Sequence, residues 1–133
     1  MSEENVEIVL RFLDRAREAP DAAWVIFDDQ VEWETGALSV PDFPPKVSGP
    51  DAVREFFRRW AGTFDEWDYA VEEVLDGPDA VAVRIHQWGR GKGSGVRVDN
   101  QFWQLWFLRD GRAVRVAHAI ERNDALAAAG LGE

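Results

Sequence analysis

The chain contains no cysteine. That excludes disulfide frameworks, thiolate nucleophiles and zinc–thiolate sites. Positive charge is scarce, with 15 Lys and Arg against 25 Asp and Glu and a formal net charge of −10. Such a surface repels phosphate backbones and anionic lipid, so neither nucleic acid nor a membrane is an expected partner. No apolar run approaches the roughly 20 residues a membrane helix needs. The opening MSEENVEIVLRFLDR is acidic and then amphipathic. It lacks the basic segment and apolar stretch of a secretion signal, and the expected location is cytoplasmic. No set of residues has metal-ligand spacing, and the acids Asp65, Glu66, Asp68, Glu72 and Glu73 read as a solvated face. The glycine-rich stretch Gly89–Gly95 lacks the spacing and the strand-to-helix context of a phosphate loop.

What the chain has instead is aromatic area: 7 Trp and 8 Phe, against 1 Tyr, in 133 residues. The length is that of one domain, able to hold a core without staples. So much indole and phenyl surface implies either an aromatic core alone or a core that also walls a cavity or an apolar face.

Apolar spacing predicts an amphipathic helix over residues 3–18, built on Val6, Val9, Leu10 and Leu13, with Ser2 as its cap. Pro20-Asp21 breaks the chain, and a short helix is expected from Asp21 to Phe27. Asp28-Asp29-Gln30 reads as a turn and Val31–Glu34 as a strand. Residues 36–50 hold four prolines and two glycines and read as a long loop, of the kind that forms lids. A helix follows from Asp51 to about Phe64, with Val53, Phe56, Phe57, Trp60 and Phe64 as its aromatic stripe. The period then becomes two. Strands are expected over 67–75, 80–89, 96–109 and 113–121, joined by short turns, and a last helix over 123–129 ends at Gly130. Helices first and sequential strands after them predict an α+β fold with an antiparallel sheet curled around the helices.

On the longest strand, Asn100, Phe102, Gln104, Trp106 and Leu108 share one side, and Gln101, Trp103, Leu105 and Phe107 share the other. Both sides are apolar, where a sheet wetted on one face would alternate with polar residues. The expectation is that helices cover one face and a second copy of the chain covers the other, giving a homodimer through the outer sheet face.

These segments, in this order, resemble the SnoaL-like proteins of the NTF2-like superfamily. The residues carrying the resemblance are Glu4-Asn5-Val6-Glu7, Asp29-Gln30-Val31-Glu32-Trp33, Gly49–Phe56, Gly91–Gly95, Phe107–Arg112 and Glu121–Leu126 followed by Gly130-Leu131. The resemblance implies a single domain over residues 1–133. It implies a cone-shaped fold in which a bent antiparallel sheet wraps three helices and encloses an apolar pocket. It implies no one activity, because the superfamily holds polyketide cyclases, ketosteroid isomerases, epoxide hydrolases, dehydratases and non-catalytic binding domains.

The two histidines, His86 and His118, are the candidate acid–base groups. In epoxide hydrolases of similar look the second sheet strand offers an Arg-x-Asp pair and the last strand a further Asp. Arg84 matches the arginine, whereas His86 and His118 stand where the acids would be, which argues against that mechanism. A charged Arg84 can stabilise a forming enolate or alkoxide. The expected set is His118 as base, Arg84 as anion stabiliser and His86 or Gln104 orienting a carbonyl substrate. Glu121 matches the position of an acid in SnoaL-like cyclases, although its strand phase differs from that of His118. Ala119 would enlarge whatever lies beside it. Trp33, Phe56, Trp60, Tyr69, Gln104 and Trp106 are expected to bound the pocket. Two functions follow. One is a cofactor-independent enzyme on a small hydrophobic carbonyl compound, of isomerase, cyclase or dehydratase type. The other is a non-catalytic ligand-binding or dimerisation module. Arg97 and Asp99 copy the Arg-x-Asp spacing, but at an exposed strand base.

Overall fold

A computed structural model of the chain describes residues 2–18, 24–38 and 42–132. Among them three α-helices and one six-stranded sheet form. Helix α1 (Ser2–Glu18) buries Val9, Phe12, Leu13 and Ala16, which recur at three- and four-residue steps. Glu3 and Glu4 sit in its first turn, where the positive helix end favours them. Ser2 is already helical, not a cap preceding the helix. The break at Pro20-Asp21 and the first three residues of the short helix expected over Asp21–Phe27 lie outside the described residues, and the remainder is not α-helical. Trp24–Ile26 is a single 3-10 turn.

Strand β1 (Phe27–Glu34) begins four residues earlier than its alternation predicts. The Asp28-Asp29-Gln30 segment is part of that strand, at a register shift against its neighbour between Phe27 and Glu32. The breaker-rich stretch is less irregular than its composition implies. Gly36–Leu38 is a 3-10 turn, Lys46–Ser48 is strand β2, and residues 39–41 lie outside the described set. Helix α2 (Pro50–Gly62) starts on Pro50, whose missing N–H costs nothing in a first turn. Phe64 therefore belongs to strand β3 (Phe64–Asp76). Strands β4 (Val81–Gly91), β5 (Arg97–Arg109) and β6 (Arg112–Ala119) and helix α3 (Arg122–Ala129) complete the chain.

The sheet order is β2-β1-β6-β5-β4-β3. All neighbouring pairs are antiparallel except β1 with β6, which run parallel. The sheet is thus mixed, not wholly antiparallel as the strand sequence predicts, because the first long strand pairs with the last, and the α+β class holds. Register shifts between Phe64 and Glu66 and between Val71 and Glu73 bend β3 and curve the sheet.

The inner face packs on α1 and α2 around Phe12, Trp24, Phe27, Trp33, Phe56 and Trp106. Half of their ring contacts are edge to face, as for Phe12 and Trp24 at 5.3 Å and 72°, and the rest are stacked or tilted. The outer face of β5 is covered too, but by the chain itself. Trp103 and Leu105 pack with Ala80, Ala82 and Ala119 beneath Ala125 and Ala129 of α3. The two-faced apolar pattern of β5 therefore needs no second copy across those residues. The small Ala119, paired with Trp103, makes room under α3 and does not enlarge the inner cavity. Two glycines dock this helix. A Cβ on Gly77 would lie 2.2 Å from the Ala129 carbonyl oxygen, and Gly130 ends the helix at φ 85°.

Candidate functional site

A cavity of about 940 Å³ lies between α2 and the inner face of the sheet. Trp33, Phe56, Trp60, Tyr69 and Gln104 line it, as the aromatic pattern predicts. Trp106 does not. It is fully buried behind Gln104, to which its indole N–H donates at 3.1 Å. Phe43, Phe64, Trp67, Ile85 and Phe102 add apolar wall. Among the described lining residues the charged ones are Asp42 and Arg59. Arg59 stacks 4.4 Å over the Phe43 ring and donates to the Asp42 carbonyl at 3.2 Å.

Strand phase separates the expected acid–base set. Across β4 and β5, Val83 pairs with Gln104 and Ile85 with Phe102, all inward. The alternate pairs, Arg84 with Trp103 and His86 with Gln101, therefore turn outward. Arg84 donates to the Gln101 side-chain Oε1 at 2.7 Å and stands 3.6 Å from Glu72. His86 meets Asp99 at 2.8 Å and Glu72 at 3.8 Å. Arg84 and His86 do not converge with His118. Glu121 is exposed at the N-cap of α3, with its side chain making no cap bond, and it too is outside the cavity. Arg97 and Asp99 are exposed, and Asp99 is the partner of His86.

His118 pairs with Gln104 across β5 and β6 and faces inward with it. Both are buried, at 7 % exposure. Their bonds form a chain of fixed polarity. The Trp106 indole only donates, so it assigns the near atom of Gln104 as oxygen. The Gln104 amide nitrogen then lies 3.4 Å from His118 Nε2. The other ring nitrogen, Nδ1, is 2.7 Å from the Glu34 carbonyl, which only accepts. His118 is therefore the Nδ1–H tautomer, with an unprotonated Nε2 that accepts from the Gln104 amide. Burial pushes its pKa down to about 4, against the opposing pull of the Glu34 carbonyl. The Trp33 ring packs edge-on to the imidazole at 5.2 Å.

A second polar chain escapes the sequence reading. Gln87 is buried at 4 % exposure among the lining aromatics. Its carbonyl oxygen accepts from the indoles of Trp67 at 2.9 Å and Trp60 at 3.2 Å. Its amide nitrogen donates to Asn100 Oδ1 at 3.0 Å. Alternation supplied the signal: Gln87 shares the phase of Val83 and Ile85, and Asn100 that of Gln104.

The family profile described as the SnoaL-like domain matches residues 9–116, and the chain belongs to that family. A search of curated proteins finds no match. Solved structures share the fold. TerC, co-crystallised with polyporic acid, superposes with a TM-score of 0.75 at 19% identity, over 89% of this chain and 92% of its own. A SnoaL-like protein of Jannaschia sp. CCS1 assigned as a polyketide cyclase gives 0.76 at 21% identity, over 98% and 94%. A protein of Catenulispora acidiphila with a ketosteroid isomerase-like fold, in complex with trimethylamine, gives 0.72 at 16% identity, over 94% and 93%. No helix among the described residues is long and apolar enough to cross a membrane.

Proposed function

We propose that this protein binds a small hydrophobic molecule in the cavity between α2 and the sheet. The observation that carries the proposal is a cavity of about 940 Å³ walled by aromatic side chains and set with a few polar groups of fixed orientation. TerC, of the same fold, was co-crystallised with polyporic acid, a small organic acid, which agrees with this reading.

A second reading makes the protein a cofactor-independent acid–base enzyme on a carbonyl compound, and the unprotonated Nε2 of His118 favours it. The base would act through His118, with Gln104 steering the substrate oxygen. Arg84, His86 and Glu121 have no part in this version. Burial that holds its pKa down to about 4 keeps the imidazole unprotonated at neutral pH, and it also makes the ring a weak base. We keep binding first, because the expected anion stabiliser faces away from the cavity.

Self-association is a smaller part of the proposal. Trp88, 36 % exposed beside His86 on the outer face, is the apolar group it would use, and sedimentation velocity tests it.

N-phenylnaphthylamine, a neutral fluorophore that brightens in apolar sites, tests binding. We expect saturable 1:1 binding, abolished by Ile85→Trp, which fills the cavity from β4. Binding that is absent, or equal in the variant, would refute the proposal.

A further inference from the structure

We infer that Asn100 is a ligand-reading residue whose amide is oriented with its N–H donors toward the cavity, so that the preferred ligand carries a carbonyl or similar acceptor oxygen beside Asn100 on β5. The inference rests on the binding reading above and deepens it. An asparagine amide is ordinarily ambivalent, able to present oxygen or nitrogen by turning about its last bond. Here the direction is set from outside. Two indole N–H groups, Trp60 and Trp67, converge on one oxygen of Gln87. Neither indole can accept, so the Gln87 carbonyl must face them. Turning Gln87 over would set an N–H against two N–H groups inside an aromatic wall, where unpaired donors are costly. The Gln87 nitrogen is thereby directed at Asn100, whose oxygen must accept. With its oxygen turned to Gln87, Asn100 presents its NH2 on the opposite side.

Asn100 lines the cavity and is solvent-exposed, so those N–H groups are open to a ligand entering from the mouth. The other polar chain of the cavity is fixed in the same way: the Trp106 indole turns the Gln104 amide N–H toward His118 Nε2. Gln87, Trp60 and Trp67 are positioning residues in this scheme, and Asn100 is the contact.

Two probes of similar size separate the claim from binding in general. Prodan carries a ketone whose emission moves to the red when it accepts a hydrogen bond; N-phenylnaphthylamine has no oxygen. Asn100→Asp keeps the oxygen that Gln87 needs and replaces the donors with a second acceptor. We expect it to weaken prodan about five- to tenfold, the usual worth of one hydrogen bond, and to shift bound prodan to the blue. N-phenylnaphthylamine should bind as in the wild type. Asn100→Leu, which adds no charge, should give the same blue shift. W60F/W67F, which frees Gln87 to turn, should weaken prodan relative to N-phenylnaphthylamine. Unchanged prodan affinity and emission in both Asn100 variants would overturn the inference, as would wild-type protein that binds N-phenylnaphthylamine but not prodan. Failure of both probes would overturn the binding reading along with it.

Discussion

The two faces of the sheet hold one histidine each, and they are opposite in kind. His118, on the inner face, is surrounded by Trp33, Phe102 and Gln104 and is held neutral by burial. His86, on the outer face, lies between the carboxylates of Glu72 and Asp99 with Trp88 at its side. The inner face organises its polar atoms into chains that end in indoles and a backbone carbonyl. The outer face organises them as ion pairs, extended by Arg122 with Glu73 at 2.7 Å. The same side chain thus becomes an acceptor in a dry wall or a member of a wet charge network. One step of strand phase decides which.

The largest expected difference between the faces is in the tryptophans. Trp106 is fully buried against Phe12, Phe27 and Trp33, and it also satisfies Gln104. Trp106→Ala should cost about 3–5 kcal/mol of folding stability. Trp88→Ala should cost less than about 1 kcal/mol, as a partly exposed site on a wet face. Urea unfolding followed by far-ultraviolet circular dichroism measures both. Equal costs would mean that the outer face of β4 is as tightly packed as the inner.

Acid sharpens the comparison next. Unfolded, His118 titrates at the ordinary imidazole value near 6.5; folded, it is held down to about 4. Between those values the unfolded chain binds a proton that the folded chain refuses, so stability falls as pH drops through this window and is unaffected above it. The loss attributable to His118 by pH 4 is on the order of 3 kcal/mol. His118→Leu should be less stable than wild type at pH 7, yet show the shallower decline between pH 7 and pH 4. Parallel curves for the two proteins would show that burial does not lower the pKa of the folded histidine.

Much of this was legible in the alternation of the strands, and the failures have specific causes. The inward phase of Gln104, Phe102 and the wall formed by Trp33, Phe56, Trp60 and Tyr69 follows from period and position. The outward turn of Arg84 and His86 does not, because a strand's phase says which residues share a face but not which face is inside. Val83 and Ile85 on the opposite phase were the clue. The cover of Trp103 and Leu105 by α3 was hidden for another reason. Ala125 and Ala129 are small, so a helix that buries alanines against a tryptophan has almost no amphipathic signature. The parallel pairing of β1 with β6 joins the start of the sheet to its end, a contact no local pattern reports. The roles of Asn100 and Gln87 are not legible in the sequence, because an amide on a strand looks like a solvated position until its partners are known.

The smallest effect expected is in the outer-face ion pairs. His86 and Asp99 are 2.8 Å apart, yet their side chains are 28% and 64% exposed, so water and salt screen the pair. A double-mutant cycle of His86→Ala and Asp99→Ala should give a coupling of about 0.2–1 kcal/mol in dilute buffer, and less in 1 M salt. Neither substitution should alter probe binding in the cavity, which the sheet separates from them. If either one does, the outer network is coupled through β4 to Gln87, and the two faces are not independent. A coupling well above the surface range would have a different meaning: that the outer face is covered in solution, which is what a second copy seated over Trp88 would do.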